Sequence, residues 1–377
     1  MGRLTSARSR FGLLGALLAL ALLLAACGED EADDTAVDDD DQADVADDDD
    51  DDDAADDEDV ADDDEAADDE AAEDPAEDPV ELEMLVFEPP SLGAFLPAVI
   101  EDQEFDLAHG IDLEFVQRPP GPYNNEFGAG QFELGGSGSL MSEAVRVSEG
   151  VDVAYLFNVH DYWATTVSTT DEITELSDLG DGHTIAGATS STSWAMFEWF
   201  AQEHGVDLGE VDVMDSDTGG LGTQAQTGRS DMVQMWEPGF STLMAEDPEN
   251  VTEVPIGLER WEEEFGFDDI PYLGVAAHRS WIEEHEDLIP DLRAVYEDAA
   301  DWSLSNPDEA AQIIAESMDN PDATEALAGL LADNDRLGLS VQPASDVADG
   351  IRAVFEAGVE IGYFEEPPSD DVIYQGD

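Results

Sequence analysis

Hydrophobic and polar residues follow one another after residue 79 in a way that predicts a repeated order of strand, loop and helix. Residues 80–87 (VELEMLVF) predict a first strand, and residues 92–109 have a helical pattern that Gly110 ends. Residues 111–116 alternate again and predict a second strand. Further strands are predicted at residues 151–157, 184–188, 211–215, 231–236 and 270–277. This alternation is typical of an α/β domain, and an all-helical tail is expected after it.

The segment HTIAGATSSTSWAMFEWFAQEHG, residues 183–205, predicts a strand, a polar loop and a helix in succession. The strand at 184–188 is followed by five small hydroxyl residues, 189–193, and then by a helix with Trp194, Phe197 and Ala201 on one face. Such a loop lies at the carboxyl end of a strand and at a helix N-terminus, where free N–H groups favour an acceptor-rich ligand. The alternative is that the hydroxyls only cap the helix.

Other predicted strands also end in loops that carry hydroxyls, glycines or aromatic rings, a mixture suited to a compact polar ligand. The predicted ligand contacts are Phe87, Ser91, Gly136, Ser137, Ser139, His160, Ser190, Ser191, Thr192, Asp217, Gly219, Trp236 and Glu237. Trp194 and Trp236 suit the core equally well, and Glu237 has the alternative of a surface carboxylate.

Catalytic and metal chemistry find little support in the sequence. The six histidines are scattered without metal-ligand spacing, and the loop predicted at residues 135–139 (GGSGS) fits neither a phosphate-binding nor a nucleophile-elbow motif. The chain has one cysteine, Cys27, which excludes internal disulfides and thiol catalysis in the domain. The sequence therefore predicts recognition without catalysis, and neither a cofactor nor a metal.

The first 79 residues have a different character from the rest of the chain. Residues 1–26 carry three arginines and a short apolar run, which predicts a signal peptide. The following Leu-Ala-Ala-Cys resembles the bacterial lipoprotein cleavage box, which implies a lipid on Cys27; the alternative is an ordinary cleaved signal. Residues 27–79 contain 32 acidic residues and no basic one, so we expect a disordered acidic tether. Calcium binding there lacks the spacing of an EF-hand loop.

The whole chain is strongly acidic, with 96 Asp and Glu against 11 Lys and Arg and a formal net charge of −85. All eleven basic residues are arginines. A field of this sign argues against nucleic acid and anionic membrane surfaces as partners. A carboxylate-rich, lysine-free composition resembles that of proteins from salt-loving organisms, in which high ionic strength screens the repulsion.

Two short echoes suggest two lobes of similar construction: AHGIDL at 108–113 matches EHGVDL at 203–208, and GQFE at 130–133 matches GRSD at 228–231. With these echoes, the domain resembles the solute receptors for nitrate, sulfonates such as taurine, and thiamine-pyrimidine precursors. The resemblance is carried by the opening strand and by the segments TELSDLGDGHTIAGATSSTSW, GRSDMVQMWEP and DLRAVYEDAADWSLSNPDEAA.

This resemblance implies an α/β, two-lobed periplasmic-binding-protein-like fold of type II. Residues 80–165 and 271–377 would form lobe 1, and residues 166–270 lobe 2, joined by two crossover strands near 158–169 and 253–274. It also implies an extracytoplasmic, membrane-anchored monomer that delivers a small ligand to an ABC permease and its ATPase.

Two other classes of function stay open. A sensing or structural surface lipoprotein would share the anchor and the tether. A pyrimidine-synthase-like enzyme would share the fold, but its chemistry looks tied to a cysteine-rich motif and a histidine, and the predicted domain has no cysteine.

Overall fold

The computed structural model describes residues 79–376. The predicted signal peptide, the lipid site at Cys27 and the acidic tether up to residue 78 lie outside the described residues. Within the described residues, no helix combines the length and the apolar character needed to cross a membrane.

Six strands form a first sheet in the order β11-β4-β10-β3-β1-β2. They are β1 (Val80–Phe87), β2 (Ile111–Arg118), β3 (Leu134–Ser139), β4 (Val153–Asp161), β10 (Pro271–His278) and β11 (Leu339–Pro343). β1 runs parallel to β2 and β3, whereas β10 runs antiparallel to both β3 and β4. The chain leaves this sheet after β4 and returns to it with β10.

Five shorter strands form a second sheet in the order β7-β6-β8-β5-β9. They are β5 (Thr165–Ser168), β6 (Thr184–Gly187), β7 (Asp212–Asp215), β8 (Met232–Met235) and β9 (Thr252–Val254). β6 is parallel to β7 and β8, so the carboxyl ends of these three strands lie at the same edge. We call each sheet with its helices a lobe, the first and the second.

Helices cover both sheets. They are α1 (Phe95–Gln103), α2 (Phe105–Ala108), α3 (Pro120–Gly128), α4 (Leu140–Ser148), α5 (Thr192–Glu203), α6 (Leu221–Gln226), α7 (Gly239–Glu246), α8 (Glu259–Phe265), α9 (Arg279–His285), α10 (Ile289–Ser305), α11 (Pro307–Ser317), α12 (Thr324–Ala332), α13 (Asn334–Leu337) and α14 (Ala348–Glu360). The α/β character and the two-lobed arrangement predicted from the sequence are confirmed.

The two connections between the sheets run side by side. The first is the short segment 162–164 between β4 and β5, and the second is the segment 255–270 between β9 and β10. The Tyr162 N–H donates to the Ile270 carbonyl at 2.7 Å, which ties the two connections together. The second connection includes α8 and is therefore partly helical, where the sequence predicted a strand.

The glycine-rich segment GGSGS is strand β3, and the prediction of a loop there is wrong. All of β3 is buried. A Cβ atom on Gly136 would collide with the Met84 sulfur and the Tyr296 hydroxyl, and one on Gly138 would lie 2.7 Å from the Glu143 carboxylate. The glycines are therefore needed because neighbouring side chains pack directly on the strand.

Two further expectations about helices are corrected. The helical run predicted at 92–109 is broken at Glu104, which has the left-handed φ of 56° and separates α1 from α2. The tail is not wholly helical, because Leu339–Pro343 forms β11 and pairs antiparallel with β4 at the sheet edge.

Candidate functional site

A partly open cavity of about 260 Å³ lies at the carboxyl ends of β7 and β8 of the second lobe, and residues of the first lobe also line it. The apolar part of its lining consists of Leu221, Met235, Trp236, Pro238, Leu243, Pro90 and Met318. The polar part consists of Thr218, Thr223, Gln226, Thr242, Glu246 and Asn320. Pro90 follows β1, and Met318 and Asn320 follow α11, so both lobes contribute to the walls. A mixed lining of this kind is typical of small-molecule sites.

Helix α7 supplies one wall through its periodicity. Gly239, Thr242, Leu243 and Glu246 are spaced i, i+3, i+4 and i+7, and all four line the cavity. The Glu246 carboxylate accepts a hydrogen bond of 2.8 Å from the Gln226 amide, which links α7 to α6 across the cavity. The cavity therefore has hydroxyl and amide groups, one carboxylate, and an aromatic face.

Glu237 lies directly before α7, and its side chain is fully buried. Its carboxylate accepts hydrogen bonds from the Ser241 backbone N–H at 3.0 Å and the Ser241 hydroxyl at 2.9 Å. It also pairs with the Arg336 guanidinium of α13 at 3.3 Å. Burial raises the pKa of Glu237 above its ordinary value, although Ser241 and Arg336 act in the opposite direction.

Arg336 comes from the first-lobe tail and reaches two aromatic rings associated with the second lobe. Its guanidinium carbon lies 5.5 Å from the Phe240 ring centroid and 5.9 Å from the Trp163 ring centroid. These are cation–π distances. Arg336 therefore joins the lobes through one buried carboxylate and two rings, and we call this set with Glu237 the Arg336 latch.

The N-terminus of α5 forms a second polar region near the connections between the lobes. The Ser191 hydroxyl accepts from the Trp194 N–H at 3.1 Å and caps the helix, and the Thr192 hydroxyl lies 3.4 Å from the Tyr272 hydroxyl. The Gln234 amide nitrogen donates to the Ser193 hydroxyl at 3.1 Å. Among the described residues, the buried Gln234 Oε1 accepts no hydrogen bond, so this region keeps a free acceptor.

The structure brings a minority of the predicted contacts together at the cavity. Gly219 and Trp236 line it, and Asp217 caps the turn at 218–220 by accepting from the Gly220 N–H at 2.7 Å. Ser190 is exposed and lies outside the lining. Ligand contact by Ser190, Ser191 and Thr192 stays a prediction.

The predicted contacts in the first lobe are occupied by internal hydrogen bonds. The buried Ser137 hydroxyl donates to the Gly93 carbonyl at 2.9 Å and accepts from the Phe87 N–H at 3.0 Å. Ser91 accepts from the Gly93 N–H at 3.3 Å, and Ser139 caps α4 by accepting from the Ser142 N–H at 3.3 Å. These four hydrogen bonds hold the β1 and β3 ends in place.

His160 is buried in the first lobe, where its Nδ1 lies 3.1 Å from the Leu337 carbonyl. Burial lowers its pKa to about 4, against the raising effect of the carbonyls of Leu337 and Leu92. The neutral ring is thus part of the packing between β4 and α13. Among the described residues, no group of three or more His, Cys, Asp or Glu side chains is arranged to hold a metal ion.

The two ambiguous tryptophans have different environments. Trp194 is 4% exposed and packs against Phe197, with ring centroids 5.1 Å apart, so it belongs to the core. Trp236 is partly buried and lines the cavity. Sequence reasoning missed Met318, Asn320 and Arg336, because no local signal connects the helical tail to strand ends of the other lobe.

Comparisons with known proteins agree with this architecture. The periplasmic aliphatic sulphonate-binding protein SsuA from Escherichia coli superposes with a TM-score of 0.64 at 17% identity, covering 79% of this chain and 93% of that one. The MOPS-bound alkanesulfonate-binding protein SsuA from Xanthomonas axonopodis pv. citri gives 0.63 at 14% identity, covering 79% and 99%. A Candida albicans gene product with the generic periplasmic binding protein fold gives 0.54 at 17% identity, covering 78% and 92%.

No curated protein matches the chain significantly in sequence. The model of the NMT1/THI5-like family, in contrast, matches residues 102–310, which is more than half of the chain and includes the whole second sheet and four of the six strands of the first. The chain therefore belongs to the NMT1/THI5-like family.

Proposed function

We propose that this protein is the extracytoplasmic solute-binding component of an ABC importer, held at the membrane by a lipid on Cys27 and extended from it by the acidic tether 27–79. Its lobes, residues 80–165 with 271–377 and residues 166–270, close on a small organic solute or anion of the nitrate, sulfonate, taurine or pyrimidine type. The observation that carries the proposal is the cavity at the strand ends of the second lobe, which residues of the first lobe complete.

The distribution of the lining suggests the order of events. Most of the lining residues belong to the second lobe, whereas Pro90, Met318 and Asn320 come from the first. A solute would contact the second lobe in the open form and gain the first-lobe contacts on closure. Those added contacts give the closed form a higher affinity for the solute, and this difference is what shifts the population towards closure.

The chemistry of the lining suits binding without reaction. Hydroxyls of Thr218, Thr223 and Thr242 are able to donate and accept hydrogen bonds, and the Trp236 ring offers an apolar face. The closed form would then dock on a permease, which uses its ATPase to move the released solute. A likeness of the fold to sulphonate-binding proteins supports this role without identifying the ligand.

The test is a thermal-shift screen in high salt with sulfonates, nitrate, amines and pyrimidines, followed by calorimetry on each hit. A ligand that binds the folded state alone stabilises it by RT ln(1 + [L]/Kd), about 2.7 kcal/mol at a hundredfold excess over Kd. The variant Trp236→Ala should lose most of this stabilisation. Trp302→Ala is the matched control, because Trp302 is also partly buried but packs on Phe105 outside the cavity.

The other two functions give different results in the same experiment. A structural surface lipoprotein would show no solute-dependent stabilisation. If the two tryptophan variants lost the same amount of ligand stabilisation, the cavity would not be the place where the solute binds. A pyrimidine-synthase-like enzyme would convert the bound compound, so recovery of the hit unchanged after long incubation separates binding from catalysis.

A further inference from the structure

The charge of the cavity lining is the observation that narrows the ligand class. Glu246 is the lining residue with an ionisable side chain, and in the described part of the chain no arginine or histidine joins it there. Four further carboxylates are next to lining residues in sequence: Asp217 and Asp319, which are exposed, Asp247, which is partly buried, and Glu237, which is buried and paired with Arg336. An anionic solute would enter a site whose nearby fixed charges are negative.

The arginines close to the elements that line the cavity, Arg336 and Arg229, do not make its surroundings positive. Arg336 reaches α7, but it is paired with the buried Glu237 and lies over Phe240, which is outside the lining. Its positive charge is therefore compensated within the protein. Arg229 follows α6 and is exposed, and it also lies outside the lining.

The apolar part of the lining is suited to an organic cation. The Trp236 ring and the thioethers of Met235 and Met318 are polarisable groups, and an indole ring is the side chain that attracts cations most strongly through its face. The Arg336 latch offers an internal example, because a guanidinium is held there by the Glu237 carboxylate and the rings of Phe240 and Trp163. The cavity wall also carries a carboxylate, the exposed Glu246 at the end of α7, and an indole ring, Trp236 before the start of α7, and within the described residues no arginine or histidine lines it.

We propose that the cavity takes a small organic cation, an ammonium carried on an apolar or aromatic skeleton. Glu246 provides the opposite charge at the end of α7, and the Trp236 ring contacts the skeleton. The hydroxyls of Thr218 and Thr242 and the Asn320 amide oxygen accept the remaining ammonium protons. This inference rests on the proposed solute-binding function and specifies its ligand.

The experiment compares solutes that share a skeleton and differ in charge. Benzylammonium, benzyl alcohol and phenylmethanesulfonate form one set, and the three cyclohexylmethyl analogues form another. Calorimetry on the full chain at low and at molar KCl should give the ammonium compounds an affinity at least about tenfold above that of the sulfonates, which corresponds to about 1.4 kcal/mol. The preference should shrink in molar KCl, because salt screens the interaction.

A pair of charge-neutralising variants assigns the effect to one carboxylate. Glu246→Gln should bring the affinity for the ammonium compounds close to that for the alcohols and leave the alcohols unchanged. Glu249→Gln, an exposed residue just beyond α7 and outside the lining, should leave all affinities unchanged. Circular dichroism of both variants checks that they fold alike.

The possible outcomes are distinct. Stronger binding of the sulfonates would overturn the cation assignment while supporting solute binding at the cavity. Equal effects of the two glutamate variants would overturn the role of Glu246 and, with it, the inference. Failure of all six compounds to bind to a protein that the thermal-shift screen shows to bind another solute would overturn the inference and leave the proposed solute-binding function standing.

Discussion

The Arg336 latch allows the contact between the lobes to be tested by removing one guanidinium. In Arg336→Gln the buried Glu237 carboxylate loses its ionic partner and keeps the two hydrogen bonds from Ser241. Breaking a buried ion pair costs about 3–5 kcal/mol, whereas an exposed pair contributes about 0–1 kcal/mol. Arg336 is 34% exposed, so we place the cost between these limits, at about 2 kcal/mol, including the lost ring contacts.

The measurement is urea unfolding at constant high salt, followed by near-UV and far-UV circular dichroism. Arg352→Gln is the control, because Arg352 pairs with Asp349 and Asp370 on the surface and is 47% exposed. We expect this control to lose less than about 1 kcal/mol. The double variant Arg336→Gln with Glu237→Gln should recover much of the loss, since the unpaired buried charge is what destabilises the single variant.

The pH dependence gives an independent check on the same reasoning. Burial already raises the pKa of Glu237, and removal of Arg336 would raise it further. The single variant should therefore be more destabilised at high pH, where the unpaired carboxylate is charged, than at low pH, where protonation removes the unpaired charge. Equal losses for Arg336→Gln and Arg352→Gln, or a double variant no better than the single one, would refute this account of the latch.

Three further predictions test the roles of other residues. Gly136→Ala should cost about 1–3 kcal/mol, because its Cβ has no room in β3, whereas Gly219→Ala, with a nearest neighbour at 3.8 Å, should unfold like the wild type; equal midpoints would contradict the packing argument. Ser191→Ala should lower the free energy of unfolding by about 1 kcal/mol, because the N-cap of α5 is lost. Ser190→Ala, which leaves this cap in place, is the control in the same urea assay. Burial raises the pKa of Asp161 to about 7, so between about pH 4 and pH 7 the folded protein holds a proton on Asp161 that the unfolded chain has lost, and the stability of the wild type should fall as the pH rises through this window. The variant Asp161→Asn should remove up to about 1.4 kcal/mol per pH unit of this slope. An unchanged slope in the variant would contradict the argument.

The predicted elements that the structure confirms are those whose signals are local. The strand at 80–87 has the predicted bounds, and the run at 184–188 differs by one residue, because alternation and the following turn residues lie within a few positions of each other. The glycine run of β3 was predicted as a loop because glycine is a strong local turn signal. Its true state depends on Met84, Tyr296 and Glu143, which approach from distant parts of the chain.

The candidate site shows the same difference between features with a local sequence signal and features that depend on distant parts of the chain. The rule that ligands bind at strand carboxyl ends found Trp236 and Gly219, which line the cavity. It also selected Ser137 and His160, which end strands in the sequence pattern but are buried and hydrogen-bonded within the first lobe. Residues such as Met318 carry no sequence signal for a site, since only the folded tail brings them to the other lobe. Sequence therefore predicts the sheet edge at which the cavity lies more reliably than the residues that complete the cavity.

The latch and the cavity are built on the same helix, α7, and this connects lobe closure to ligand affinity. If the closed form alone binds tightly, the apparent Kd equals the intrinsic Kd divided by the closed fraction. A latch contribution of about 2 kcal/mol corresponds to a roughly thirtyfold change in the closed-to-open ratio. A protein that rests about 99% closed would then lose affinity by less than a factor of two in Arg336→Gln, whereas one that rests half closed would lose it by roughly fifteenfold. Small-angle scattering without ligand measures the closed fraction separately, so the two measurements must agree. An affinity loss in a variant that scatters like the wild type would show that Arg336 acts on the ligand directly and not through closure.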